Sequence, residues 1–311
     1  MTVSSQQIFW VDLEPAILPN WVRKLLKEGG ARAVEKNLPG SVTGLESSRS
    51  LSLASACICD VDALEPQSVE EKVAEAYRSL AAALKTTATP HPVRIWNYVP
   101  HIHRPTGEGV DRYMNFNAGR FKAFGECFGE SEFARLVPSA SAVGYDGRDL
   151  VIHALAADAP GRAVANPRQV APYRYSRRFG PVPPCFARAT VMQHARRGPL
   201  VLVGGTASIR GEDSIHLKDL TQQTAETLEN LAWLIAAACG STTIEPHEIP
   251  QWLSRFRELR VYYSRAADRE AISALIAPAF AMVERIEMVR AELCRAELLV
   301  EIEGLAEGSG G

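Results

Sequence analysis

Long hydrophobic runs are what this sequence most plainly lacks. No stretch of the 311 residues approaches the roughly 18 uninterrupted apolar residues of a membrane span, and the first residues show no basic region followed by an apolar run. Export and membrane insertion are therefore not expected, and a cytoplasmic setting is. An excess of positive charge is missing too, since 34 Lys and Arg stand against 36 Asp and Glu for a formal net charge of -2. That balance offers no footprint for nucleic acid or an anionic membrane, and a small polar molecule is the expected partner. The six cysteines, at 57, 59, 127, 185, 239 and 294, lack zinc-ligand spacing and read as reduced thiols, and on a strand Cys57 and Cys59 are expected to point to opposite faces. His101 and His103 have no carboxylate or cysteine close by in sequence, so no metal site is expected there. The segment GTAS at 205–208 is no phosphate loop, because the lysine that would follow the glycines is absent.

What is present is core-forming material. Hydrophobic residues make up 46% of the chain, and the length suggests about two domains of roughly 100–200 residues. Val73, Ala76, Tyr77, Leu80 and Leu84 recur at helical steps, predicting a helix over 69–85 after a strand over 52–60. A strand over 93–99, a helix over 110–128, and a hairpin of 141–145 and 150–156 around Asp146 and Gly147 follow. The first fifty residues read as a strand over 8–11, a short helix over 21–27, and loops. The second half reads as strands over 186–192 and 200–208, a helix over 220–238 and a strand over 257–263. Then come a helix over 268–280 capped by Asp268 and strands over 283–290 and 298–303. Both halves have the order strand, strand, helix, strand, helix, strand, strand, provided the strand at 8–11 is counted. Tyr77, Leu80 and Leu84 match Leu228, Leu231 and Ile235. The expectation is a duplicated α+β fold with halves at 1–160, including an irregular N-terminal extension, and 161–311. Each is a mixed sheet with two helices on one face.

The last stretch organises the rest. Apolar and acidic residues alternate over 298–303, so a strand there sends Val300 and Ile302 one way and Glu301 and Glu303 the other. A carboxylate on such a strand is exposed, paired, or set in a pocket where its proton is useful. VAPY at 170–173, the helix over 220–240 and LLVEIEG at 298–304 resemble the RidA/YjgF family, which has a chorismate-mutase-like fold. More of the chain resembles the chorismatase / 3-hydroxybenzoate synthase family. The matching blocks are IWNYVP at 95–100, YMNFNAGR at 113–120, YRYSRRFG at 173–180, PCFARA at 184–189, GTAS at 205–208, and Cys294 ahead of VEIEG at 300–304.

The resemblance implies chorismate as substrate, loss of pyruvate, and no metal or organic cofactor. It places the site on Glu301 as acid, with Arg120, Tyr175, Arg188, Ala207, Cys294, Tyr113 and Asn117 binding the substrate. The residue types suit that chemistry. Chorismate bears a ring carboxylate and an enolpyruvyl ether with a second carboxylate, and the planar fork of arginine fits a carboxylate. Tyr113, Asn117 and Arg120 share one helix face, Phe186 and Arg188 one strand face, and Gly204, Gly205 and Ala207 let backbone approach a flat molecule. Glu301 can protonate the enol-ether methylene near neutral pH only if burial raises its pKa. The resemblance implies that Cys294 points to the aromatising branch, and that Ala207, where a glycine would match the strictly 3-hydroxybenzoate-forming pattern, leaves a mixture of 3- and 4-hydroxybenzoate open. Hydrolysis to a dihydroxycyclohexadiene carboxylate, a RidA-like imine deaminase, and a non-catalytic small-molecule-binding protein are the alternatives. A homo-oligomer is left open, since a duplicated chain can supply internally an interface that RidA-like trimers form between subunits.

Overall fold

The computed structural model describes residues 6–34 and 37–309, with backbone only at 130 and 131. In chain order the first half runs β1 (Gln7–Val11), α1 (Asn20–Glu28), β2 (Arg32–Ala33), β3 (Val42–Ser47), β4 (Leu51–Ile58) and α2 (Pro66–Lys85). It continues with β5 (His91–Pro100), α3 (Arg112–Leu136), β6 (Ser139–Tyr145) and β7 (Leu150–Ala157). The second half has β8 (Arg162–Val164), β9 (Ala189–His194), β10 (Gly198–Ala207), α4 (Leu220–Ala238), α5 (Ile249–Leu253) and β11 (Phe256–Tyr263). It ends with α6 (Arg269–Ala279), β12 (Arg285–Arg290), β13 (Glu292–Leu293) and β14 (Val300–Glu307).

These strands form two seven-stranded sheets, ordered β13-β6-β5-β7-β4-β3-β2 and β1-β12-β11-β14-β10-β9-β8. The five inner strands are the duplication. In both sheets the first inner pair is parallel and the other pairs are antiparallel, so β6-β5-β7-β4-β3 repeats as β12-β11-β14-β10-β9. The fold is α+β, with two related halves, as the sequence leads one to expect. Each sheet also takes one edge strand from the other half of the sequence, β1 beside β12 and β13 beside β6.

Helices α2 and α3 cover the outer face of the first sheet through Val73, Tyr77, Leu80 and Phe116. On the second sheet α4 and α6 do the same through Leu231, Ile235, Ile272 and Ile276. The inner faces pack together, with Trp96, Tyr98 and Leu155 on one side and Leu202, Tyr262 and Leu305 on the other. Trp21 and Leu25 of α1 close this layer. A site that draws on both sheets is thus held by a buried apolar interface.

Several expectations change. β6 and β7 are not a hairpin, because β5 lies between them, parallel to β6 and antiparallel to β7. The parallel pair needs the crossover that α3 supplies, and Asp146 and Gly147 only turn the chain over the end of β5. The opening strand of the first half is β3, not β1. Only Val42 and Leu45 of β3 are buried, which is why it reads as loop. Asp268 does not cap α6, since its carboxylate is held by Arg265 at 2.6 Å. Cys57 and Cys59 do meet, with sulfurs 3.9 Å apart, because residues two apart at the end of a strand share a face.

Candidate active site

β14 carries the carboxylates on one face. Val300 and Ile302 turn into the core under the helices, and Glu301 and Glu303 turn toward the other sheet. The two acids have different surroundings. Glu303, 1% exposed, accepts from Arg94 Nη2 at 2.6 Å, Trp96 Nε1 at 3.0 Å and Tyr262 OH at 3.2 Å, and Ser141 Oγ also donates to it. It is the anionic half of a buried ion pair that ties the two sheets together. Glu301, 4% exposed, has no ion-pair partner among the described residues, and it lines a cavity of about 310 Å³. A carboxyl removed from water without a partner keeps its proton. Burial pushes Glu301 up to about 8, the nearby charge of Glu303 adds to the rise, and Arg188 and Arg94 oppose it.

The backbone opposite is shaped to admit this side chain. The pairing of β10 with β14 shifts register between Val203 and Thr206, a bulge that falls on Gly204 and Gly205. A Cβ on Gly205 would lie 2.0 Å from Glu301 Oε1, and one on Gly204 would lie 2.7 Å from the Ala140 carbonyl oxygen. The glycines therefore make room first for the carboxyl of Glu301 and for the approach of the two sheets. Gly205 and Ala207 also line the cavity.

Two arginines enter the same cavity from different elements. Arg120, 1% exposed on α3, donates through Nη2 to Asn117 Oδ1 at 2.7 Å, and its guanidinium lies over Phe116 and Phe186 at 5.0 and 5.6 Å. Arg188, 3% exposed ahead of β9, donates to Tyr175 OH and lies 5.4 Å from the Phe186 ring centre. Nε of each has no hydrogen-bond partner among the described residues. Among the described residues these two buried cations have only neutral hydrogen-bond partners, so in a cavity with a raised-pKa carboxyl each has a charge that a ligand carboxylate can meet.

A family model described as "Chorismatase FkbO/Hyg5-like, N-terminal" matches residues 34–156. A 3-hydroxybenzoate synthase of Streptomyces hygroscopicus is 33% identical over 239 residues, covering 76% of this chain and 69% of that protein. The chain belongs to the chorismatase family. A chorismatase of Streptomyces rapamycinicus is 30% identical over 237 residues, covering 75% of this chain and 69% of its own length. A chorismatase crystal structure, 24% identical with a TM-score of 0.75 and covering 89% of this chain and 80% of that one, has the same fold.

In this member of the chorismatase family Tyr113, Arg120, Tyr175 and Arg188 line the cavity with Ala207, Cys294 and Glu301. Asn117 does not line it. The side chain lies fully buried behind Arg120 and holds it. Cys294 is half-buried in the wall, with its thiol pushed up to about 12 by burial and then by Glu301, so it is a neutral wall group. Tyr113 is likewise kept as the phenol by burial. Ala207 sits directly across from Glu301 in the sheet. Phe179, Arg295 and Ser141 also reach the cavity and were not singled out from the sequence. Arg295 lies 3.9 Å over the Phe179 ring and donates to the Glu212 carbonyl at 2.8 Å, which fixes the outer rim. Phe179 sits inside the YRYSRRFG block, so the block carried its signal; Ser141 had none.

Proposed function

We propose that this chain converts chorismate to 3-hydroxybenzoate and pyruvate, with 4-hydroxybenzoate as an accompanying product. Glu301 is the general acid. The observation that carries this reading is a partnerless buried carboxyl with a pKa of about 8 in one cavity with two buried arginines. Chorismate brings two carboxylates for Arg120 and Arg188 and an acid-labile enol ether for Glu301. Protonation of the ether's methylene by Glu301 makes an oxocarbenium-like centre. The neighbouring ring hydroxyl then displaces the ether oxygen from the ring carbon, pyruvate leaves, and the hydroxyl's proton returns to the Glu301 carboxylate before the ring aromatises to hydroxybenzoate. In the elimination no water enters, and chorismate divides into hydroxybenzoate and pyruvate. In the hydrolytic alternative one water is added and the ring leaves as a dihydroxycyclohexadiene carboxylate.

The half-buried Cys294 and the rings of Tyr175, Phe179 and Phe186 favour elimination, because they give an attacking water few partners at that wall. In this reading residues 161–311 supply the acid, while 1–160 supply Arg120 and Tyr113. The test is to incubate the purified protein with chorismate, follow pyruvate with a lactate dehydrogenase couple, and identify the ring product by chromatography and mass. Absence of pyruvate release refutes the reading. A ring product heavier than hydroxybenzoate by one water makes the chain a hydrolase.

A further inference from the structure

Away from the cavity, the end of β4 gathers two thiols and a carboxylate. β4 stops at Ile58, and Asp60 follows in left-handed backbone (φ 47). Cys59 Sγ lies 3.9 Å from Cys57 Sγ. Asp149, just ahead of β7, offers a carboxylate oxygen, and the three ligand atoms lie within 4.8 Å of one another. A tetrahedral ion with metal–sulfur bonds of about 2.3 Å spans its two sulfurs by about 3.8 Å, whereas a disulfide needs about 2.0 Å. The observed separation fits a ligand pair and is far too long for a disulfide.

The carboxylate is held for such a role. Asp149 Oδ1 accepts the Asp60 N–H at 2.8 Å, the Asp149 carbonyl accepts from Tyr145 OH, and neighbouring Arg148 is bonded to Asp60 at 2.8 Å. Hydrogen-bonded support of this kind orients ligands. Thiolates select soft or borderline divalent ions over magnesium and calcium.

We propose that Cys57, Cys59 and Asp149 form a binding site for a thiophilic divalent cation of the zinc class, with water in the remaining position. Each thiol gives up its proton as the metal–sulfur bond forms, so two protons leave per ion bound. The ion clips the end of β4 to the start of β7, neighbours in the sheet where Cys57 faces Val151. The clip closes a loop of about 90 residues that contains α2, β5, α3 and β6, and so the helix that presents Arg120.

The test is a titration of the full-length, reduced protein with cadmium under anaerobic conditions, read by the ultraviolet thiolate-to-metal charge-transfer band. One equivalent should saturate the band, and zinc should displace it. Cys59→Ser, at an exposed position that leaves folding undisturbed, should abolish the band. Asp149→Asn should weaken binding about tenfold or more, and Cys127→Ser, an exposed thiol elsewhere, should leave it unchanged. The same cadmium binding in Cys59→Ser overturns the site. So does loss of two titratable thiols in air with no metal taken up beforehand, which would make the pair a disulfide.

Discussion

Replacing Glu301 with Gln should slow the enzyme and stabilise it. With a pKa of about 8, roughly 90% of the Glu301 carboxyl is protonated at pH 7, against roughly 0.3% at the ordinary 4.5. The site thus holds about 300 times more of the acid form. Gln keeps the shape and donates no acid proton, so turnover should fall by at least about a hundredfold. The same shift costs stability. Because the folded pKa lies above the unfolded one, the native state keeps a proton that the unfolded chain loses. The contribution is fully present below about pH 4.5 and is lost as pH rises through about 8. At pH 7 that loss is roughly 3 kcal/mol, and Glu301→Gln escapes it. The variant should melt roughly 5 °C higher at pH 7 and no higher at pH 4. Wild-type kcat/KM should decline above pH 8, and the limb should vanish in the variant. Normal turnover, or a lower melting temperature at pH 8, refutes the assignment.

Three further predictions rest on the cavity walls. Arg120→Met and Arg188→Met each remove a charge-assisted pair worth about 1.5–3 kcal/mol, so kcat/KM should drop by about ten- to 160-fold with unchanged circular dichroism; wild-type kinetics in both would make them structural. Cys294→Ala opens room beside Glu301 for water, so chromatography should show more dihydroxycyclohexadiene carboxylate and less hydroxybenzoate, and an unchanged ratio would count against Cys294 as a product determinant. Gly205→Ala places a Cβ 2.0 Å from Glu301 Oε1, the mobile end of that side chain, so the protein should fold and lose about a hundredfold in kcat.

What the sequence makes legible is what local period controls. The stripe through Tyr77 and Leu80 and the alternation over Val300 to Glu303 follow from helix and strand geometry, and both appear as read. Partners from distant segments are not legible. Glu301 and Glu303 have the same alternation, and they differ because Arg94, Trp96 and Ser141 arrive at Glu303 from another sheet, more than 160 positions earlier by the spacing of the Ser141 contact. Asn117 and Arg120 share a helix face, but only the longer side chain reaches the cavity while the shorter one buttresses it. The insertion of β5 between β6 and β7 is invisible to a turn signal at Asp146 and Gly147, since it is decided by pairing across the sheet.

The duplication implies a second place where a site could have been built, and its contents predict the stoichiometry. Tyr262 faces Glu301 in one sheet as Tyr98 faces Val151 in the other, so Glu301, Glu303 and Leu305 correspond to Val151, His153 and Leu155, each 150 positions earlier. The acid is replaced by valine, and the second carboxylate by a histidine that burial lowers to about 4 and so keeps neutral. His153 Nε2 donates to the Pro15 carbonyl at 2.7 Å, and Ser55 Oγ lies 2.7 Å from Nδ1. The N-terminal extension thus closes the equivalent position, with Leu18 and Trp21 packed into the same layer. Among the described residues no acid takes the place of Glu301 there. Calorimetric titration with 3-hydroxybenzoate should therefore give one site per chain, abolished in Arg120→Met. Two equivalent sites, or binding that survives in Arg120→Met and disappears on changing His153, would show that the first half has kept a working pocket.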